Sequence, residues 1–365
     1  MAVQSSSPGL ISGPPAVPSP STVLRRRVSN SSPSYRAESV SHHDSEGPAP
    51  APFPSFPSFP SFPSSASSAS SWSRPLEGTS PTVALGKFDA LHRGHLQLVV
   101  TASHMIQSAT PYLVSFDGMA DVLGWEPRLP LVAPTDRARV LSGWKKACLG
   151  TVPRERSIPF SEVRSLSPEA FVGLLALELK ASGVVVGSNY RFGYKAAGTA
   201  ETLKVLGREY GMKVEVVNLV ERGGGGGLGG LGGLGDTVSS SAVREGLAAG
   251  DMKGVRECMG RPYRLIGRVD GWEGGGGRIA PGAFLNQFPA AGGYDVRVGT
   301  RRYGKVGNQA IGVGLDVDVA LRPGRVVVDE DGGATVRVEE GEQEAEEAEE
   351  AEEQQLCVLE FDEGR

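Results

Sequence analysis

From Thr82 to Ala249 short apolar runs alternate with stretches of helical period, and this alternation most restricts the fold. Thr82-Val83-Ala84-Leu85 reads as a short buried strand ended by Gly86, and Leu91 to Ser108 carries the apolar spacing of a helix. Pro111 to Phe116 reads as a second strand. Thr135 to Ala147 reads as a helix, with Thr135 at its cap and Asp136 in its first turn. Ser167-Pro168-Glu169 opens another helix, with Ser at the N-cap and Pro in the first turn, running to about Ser182. Val184-Val185-Val186 is a continuous apolar strand ending at Gly187. Ala200 to Tyr210 is helical, Val214 to Leu219 is a strand, and Ser239 to Ala249 is a helix broken by Gly250-Asp251. Strands alternating with helices predict an α/β domain, a parallel sheet covered on both faces. From about Tyr263 the pattern changes to short β segments with glycine turns: Ile266–Val269, Tyr294–Val298, Arg325–Asp329, Thr335–Glu339 and Leu356–Phe361. These predict a smaller, antiparallel, β-rich second domain.

The remaining segments set limits. Residues 1–80 hold 24 Ser and 14 of the 26 Pro. Such a segment cannot bury enough apolar surface to offset the entropy of ordering it. The foldable chain is therefore 81–365, enough for one sizeable core and a smaller second one. The segment has four acidic residues, Glu38, Asp44, Glu46 and Glu77, and an Arg25-Arg26-Arg27 cluster, but no apolar stretch of secretory type. That fits an organelle transit peptide. Its Phe-Pro-Ser repeat, from Phe53 to Pro63, should populate polyproline II. The formal charge of −5 is set by residues 339–353, which contain 10 Glu and read as a solvated loop or short exposed helix. The rest is mildly basic, which excludes a strongly basic nucleic-acid binder. No apolar stretch is long enough to span a bilayer. Partners are expected to be small molecules, with neither nucleic acid nor membrane. Cys148, Cys258 and Cys357 are isolated and odd in number, which excludes a disulfide framework and a Cys-cluster zinc site.

Glycine-rich residues 223–235 contain Gly230-Leu231-Gly232-Gly233-Leu234-Gly235, a formal G-x-G-x-x-G. It opens no strand–helix unit with an acid some twenty residues on, so it reads as a linker and not as a dinucleotide site.

Three constellations carry chemistry. The first is Gly86-Lys87-Phe88-Asp89-Ala90-Leu91-His92-Arg93-Gly94-His95. A strand runs into a turn, and His92 and His95 share one face at a helix start. Gly94 lets a ligand approach the backbone, and the helix N-terminus supplies free N–H groups and partial positive charge. Together they suit a polyanion. The other histidines are His42, His43 and His104, which leaves no His-rich zinc set and no metal ligands assigned to the protein. The second is Val238-Ser239-Ser240-Ser241-Ala242-Val243-Arg244: hydroxyls at a helix start with Arg244 one turn on, a way to grip phosphate. The third is Gly187-Ser188-Asn189-Tyr190-Arg191-Phe192-Gly193, after a parallel-type strand. It suits a flat heteroaromatic ligand, and equally a plain loop with one core aromatic.

Taken together, these residues resemble the nucleotidyltransferases with HxGH and Ser-Ser-Thr-x-x-Arg motifs, and more narrowly the prokaryotic-type FAD synthetases. The strings Ala84 to His95, Val184 to Gly193, and Val238 to Val269 with Gly260-Arg261-Pro262-Tyr263 stand in the family's order. Lys87 stands where bacterial members usually have Asn, Ser241 replaces the motif's Thr, and Asn189-Tyr190 replaces the common Asp-Phe. These departures resemble the plant and algal plastid branch. The resemblance implies a Rossmann-like nucleotidyltransferase domain at 81–262, with a β-rich, degenerate riboflavin-kinase-like domain at 263–365. It implies FMN plus ATP giving FAD plus pyrophosphate, with Mg²⁺ accompanying the ATP. It puts His92, His95 and Arg244 in catalysis. Gly86, Phe88, Gly94, Ser239, Ser240 and Ser241 would bind nucleotide, and Asp89, Asn189, Arg191 and Phe192 the flavin. It implies a plastid location, with the mitochondrion as alternative. The bacterial kinase motif Pro-Thr-Ala-Asn is missing: Pro262, Pro281, Pro289 and Pro323 are not followed by Thr. The expected protein therefore lacks riboflavin kinase activity. The alternatives are transfer to another phosphorylated acceptor, or a non-catalytic flavin- or nucleotide-binding protein.

Overall fold

Thr82–Leu85 (β1) is buried throughout because it is the middle strand of five. The computed structural model describes residues 74–222, 237–273, 275–303, 321–339 and 354–361. The expectations for the Ser/Pro-rich segment up to residue 73, the glycine-rich insertion 223–235 and the acidic run 340–353 lie outside these residues.

After β1 come α1 (Arg93–His104), β2 (Pro111–Asp117), α2 (Met119–Leu123), a 3-10 turn at Pro134–Asp136, α3 (Arg137–Gly143), β3 (Arg154–Pro159), α4 (Phe160–Val163) and α5 (Pro168–Gly173). There follow β4 (Gly183–Gly187), β5 (Arg191–Phe192), β6 (Gly198–Thr199), α6 (Ala200–Glu209), β7 (Lys213–Val217), α7 (Ser240–Ala249) and α8 (Met252–Met259). The sheet order is β3-β2-β1-β4-β7. Every pair is parallel, with Ala84 opposite Leu113 on one side and Val185 on the other. Strand order reverses between β1 and β4. Their C-terminal ends therefore flank the crevice where open α/β sheets bind ligands.

The pleat sorts the β1 side chains. Val83 and Leu85 pack with Val184, Val186, Phe171 and Leu203 on one face. Ala84 packs with Leu98, Val99, Val243 and Leu247 on the other. Thr82 sits in this interior because its hydroxyl donates to the Ala102 carbonyl at 2.9 Å.

Several boundaries differ from expectation. Ser167 caps α5 by accepting from Ala170 N, with Pro168 in the first turn. That helix was expected to reach Ser182, but it widens after Gly173 into a π-type turn, Leu174–Glu178. Leu174, Leu175 and Leu179 are all buried there. Thr135 does not cap α3: the 3-10 turn comes first, and the Asp136 carboxylate is held by Arg139 at 2.7 Å. β3 was not anticipated. It is an edge strand of charged residues, Arg154-Glu155-Arg156, half exposed and without the apolar run of a central strand. α8 was also missed; Asp251 caps it through Gly254 N at 2.9 Å, and Gly260 closes it in the left-handed region.

The second half is a closed six-stranded barrel of β8 (Arg264–Glu273), β9 (Gly276–Ile279), β10 (Gly292–Tyr303), β11 (Arg322–Val328), β12 (Ala334–Val338) and β13 (Gln354–Phe361). All of its pairings are antiparallel. Alternate residues fill it, as in β11, where Val326 and Val328 point inward between exposed neighbours. The four-residue strand β9, half of it glycine, gave no apolar alternation to read. The two halves share buried surface. One buried cluster runs from Ala84 through Val243, Val255 and Tyr263 to Val296 and Phe361 in the barrel.

Candidate active site

The loop from Gly86 to His92 is turned inside out. Phe88, Ala90 and Leu91 are fully buried, and Phe88 and Leu91 hold φ of 48° and 47°. Non-glycine residues in this region carry strain of order 1–3 kcal/mol each, so the surroundings must impose it. Arg137 donates to the Phe88 carbonyl at 2.9 Å. Arg261 donates to the carbonyls of Ala90 at 3.0 Å and Leu91 at 2.6 Å. Asp89 Oδ1 accepts from Leu131 N at 2.9 Å. Burial lowers the Arg261 pKa to about 10, so the guanidinium stays charged against its ring of carbonyl oxygens.

This loop delivers the two histidines to the first turn of α1. His92 is the N-cap: its Nδ1 accepts from His95 N at 3.2 Å. That acceptor role keeps Nδ1 unprotonated and places the neutral ring's proton on Nε2. The His92 and His95 rings stack, with centroids 3.6 Å apart, and Phe88 meets His95 edge-on at 4.9 Å. Burial is the main cause that brings His92 to about 4. His95 is likewise lowered, by burial first and then by His92, Arg137 and Arg261. Both rings are neutral near pH 7. His95 Nδ1 is a buried polar atom with no partner among the described residues.

Gly94 permits this arrangement. A Cβ there would lie 3.1 Å and 3.2 Å from His92 ring atoms, and 3.9 Å from the Val238 carbonyl. The second motif thus begins beside the first. Val238 N bonds the Val220 carbonyl at 2.7 Å, and Glu221 bridges Thr237. The chain leaves for the glycine-rich insertion and returns from it through this bridge. α7 then starts with Ser239 as N-cap, its Oγ accepting from Ala242 N at 3.1 Å. Ser240 and Ser241 occupy the first turn. Arg244, one turn on, donates to Asp89 Oδ2 at 2.8 Å, to the Leu129 carbonyl at 3.0 Å and to Gln287 Oε1 at 3.2 Å.

The third string lies at the end of β4. Asn189 and Arg191 are exposed there. Phe192 is not: its ring is in the core, 5.3 Å from Phe171, and a Cβ on Gly198 would come within 2.7 Å of it. Two aromatic side chains expected at ligands, Phe88 and Phe192, are therefore core residues. Asp89, expected at the flavin, has both carboxylate oxygens engaged inside the protein. Beside the crevice, Lys87 Nζ lies 5.1 Å over the exposed Trp125 ring.

Sequence reasoning gave no role to Arg137, Arg261, Leu131 or Gln287. All four act by filling hydrogen bonds of distant segments, which spacing along the chain cannot show. Among the described residues no group of three or more His, Cys, Asp or Glu is placed to hold a metal ion, and no helix is long and apolar enough to cross a membrane.

Residues 76–226 match the family model for FAD synthetase. Chloroplastic FAD synthetase 2 of Arabidopsis thaliana is 50% identical over 202 residues, 53% of this chain and 54% of that protein. Its FAD synthetase 1 is 46% identical over 202 residues, covering 53% and 56%. A bifunctional riboflavin kinase/FMN adenylyltransferase of Pseudomonas fluorescens is 30% identical over 190 residues, covering 51% and 56%. The alignments thus span about half the length of these curated relatives. A crystal structure described as a macrolide-efflux protein from Streptococcus pneumoniae has a TM-score of 0.57 at 20% identity, over 80% of this chain and 90% of that one, a likeness of fold alone. Residues 76–226 are thus similar to the FAD synthetase family, and the chain is nearer in sequence to these plant FAD synthetases than to the bacterial protein.

Proposed function

We propose that the protein transfers the adenylyl group of ATP to FMN, giving FAD and pyrophosphate. The observation that carries this reading is the meeting of two helix N-termini at the β1/β4 crevice. One bears stacked neutral histidines, and the other bears three serines and Arg244. The FMN phosphate is largely a dianion near pH 7, since its second pKa is about 6. One of its oxygens attacks the α-phosphorus in line, the bond to the β-phosphate oxygen breaks, and pyrophosphate leaves with that electron pair. No general base is needed, which suits a site of N–H donors whose histidines are neutral. Their role is donation: His92 Nε2–H toward a phosphate oxygen, with His95 beside it. Charge collecting on the transferring group is met by preorganised donors. Ser240, Ser241 and Arg244 would hold the departing phosphates, and Asn189 and Arg191 would face the flavin. Mg²⁺ would arrive with ATP and be held mainly by phosphate oxygens and water. Phe88, Phe192 and Asp89 then shape the site rather than touch a ligand.

The absence of Pro-Thr-Ala-Asn supports a chain without riboflavin kinase activity. The transit-like composition of residues 1–80 and the chloroplastic relatives support plastid targeting. The test is incubation of the full chain with MgATP and either FMN or riboflavin, products being separated by chromatography. FAD from FMN alone supports the proposal. FAD from riboflavin would return kinase activity to the barrel. No product from either would overturn adenylyl transfer to FMN.

A further inference from the structure

We propose that Gln287, on the barrel, is a positioning residue for Arg244, which makes the barrel a working half of the adenylyl-transfer site. This rests on the function proposed above and adds to it. Arg244 is pinned by three acceptors from three parts of the chain: Asp89 from the loop before α1, the Leu129 carbonyl from the segment before α3, and Gln287 Oε1 from the β9–β10 connection. A guanidinium has five N–H donors. These contacts engage three of them and leave two for phosphate oxygens. Asp89 and Leu129 both hold Nη2, and Gln287 alone among the described residues holds Nη1. Without Gln287 the group can swing about its Nη2 side.

The residue is itself held as a fixed support would be. Gln287 N donates to the Pro130 carbonyl at 2.8 Å, its carbonyl accepts from the Tyr263 hydroxyl, and its Nε2 donates to the Phe288 carbonyl at 3.3 Å. The neighbouring Asn286 is fully buried. It accepts from Ile266 N at 2.9 Å, and the two hydrogens of its Nδ2 are shared among the Arg264 carbonyl at 2.8 Å, the Tyr263 hydroxyl at 3.0 Å and the Leu131 carbonyl at 3.3 Å. Leu131 N in turn holds Asp89. The Leu129–Leu131 segment, which holds both Asp89 and Arg244, is thereby stitched to the barrel through Pro130 and Leu131. Charge adds a reason for glutamine. Asp89 already offsets the Arg244 charge, and a second carboxylate would compete with phosphate, whereas an amide oxygen orients the cation and leaves its charge available.

The test uses the full chain with Gln287→Ala, Gln287→Glu, Arg244→Ala and the double variant Arg244→Ala/Gln287→Ala. For Gln287→Ala, about a tenfold fall in kcat and a several-fold rise in KM for MgATP are expected, from loss of one hydrogen bond to a charged group. KM for FMN and Tm should stay close to wild type. Gln287→Glu keeps the acceptor but adds charge. It should retain more kcat than Gln287→Ala while binding pyrophosphate less tightly than wild type. In the Arg244→Ala background the Gln287→Ala change should have no further effect on kcat. Equal losses from Gln287→Ala with and without Arg244 would overturn the proposal, as would an unchanged KM for MgATP. Calorimetric binding of inorganic pyrophosphate reads the same contact without turnover. A wild-type chain that makes no FAD would sink the functional reading alone; unweakened pyrophosphate binding by Gln287→Ala would sink this one.

Discussion

Replacing His92 by Ala and by Asn separates two roles that one ring performs. His92 Nδ1 caps α1 through His95 N, and its Nε2–H is the donor assigned to phosphate. His92→Ala removes both. Losing an N-cap costs about 1 kcal/mol. In a domain of this size that lowers Tm by roughly 2–4 °C. His92→Asn restores a cap acceptor, because an Asn side-chain oxygen reaches the third-residue N–H as the imidazole does here. It cannot restore a donor at the position of Nε2. Thermal melts should therefore place Asn between wild type and Ala, while both lose about 10²–10³-fold in kcat, the usual effect of removing one preorganised donor. The assay is FAD formation at saturating MgATP and FMN, beside melts of the same preparations. If His92→Asn kept kcat within a few-fold of wild type, His92 would be a helix cap only and the phosphate role would be refuted.

Stability should fall in mild acid. The unfolded His92 takes up a proton near 6.5, whereas the folded ring does so only near 4. The neutral folded ring thus contributes stability that is intact above pH 6.5 and is lost as pH falls toward 4. The full difference is about 3 kcal/mol at ~1.4 kcal/mol per pH unit. His95 shifts in the same direction; urea midpoints at pH 7.5 and 5.0 measure the sum. Gly94→Ala should push the His92 ring, since its Cβ would approach ring atoms to 3.1 Å; kcat should drop at least ~10-fold with little change in Tm, by loss of placement of the kind that costs ~10²-fold per ångström. Arg261→Ala leaves the buried carbonyls of Ala90 and Leu91 without their donor and should destabilise by roughly 3 kcal/mol, read by denaturant titration.

How much of this was legible depended on range. Strands β1, β2, β4 and β7 could be read because apolar runs and glycine stops are local signals, and Ser167 and Ser239 behave as the caps their position announced. β3 could not be read, because at a sheet edge charged side chains are tolerated and no apolar run is needed. β9 is four residues, half of them glycine, and α8 is too short for a period. The His and Ser–Arg motifs were legible as residue types suited to phosphate. Phe192 was not, because its ring could as well turn inward as outward, and it turns inward.

By itself, then, the sequence determined four of the five strands of the parallel sheet, β1, β2, β4 and β7, and which side chains of the two motifs carry donors, since both follow from neighbours along the chain. Only the tertiary structure decided what those donors face. It stacked His92 on His95, neutralised both by burial, tied Asp89 to Arg244 across 155 positions, and set Gln287 of the barrel against the same arginine. Those outcomes depend on hydrogen bonds and buried contacts between segments distant in sequence, which exist only once the sheet and the barrel have closed on a shared core.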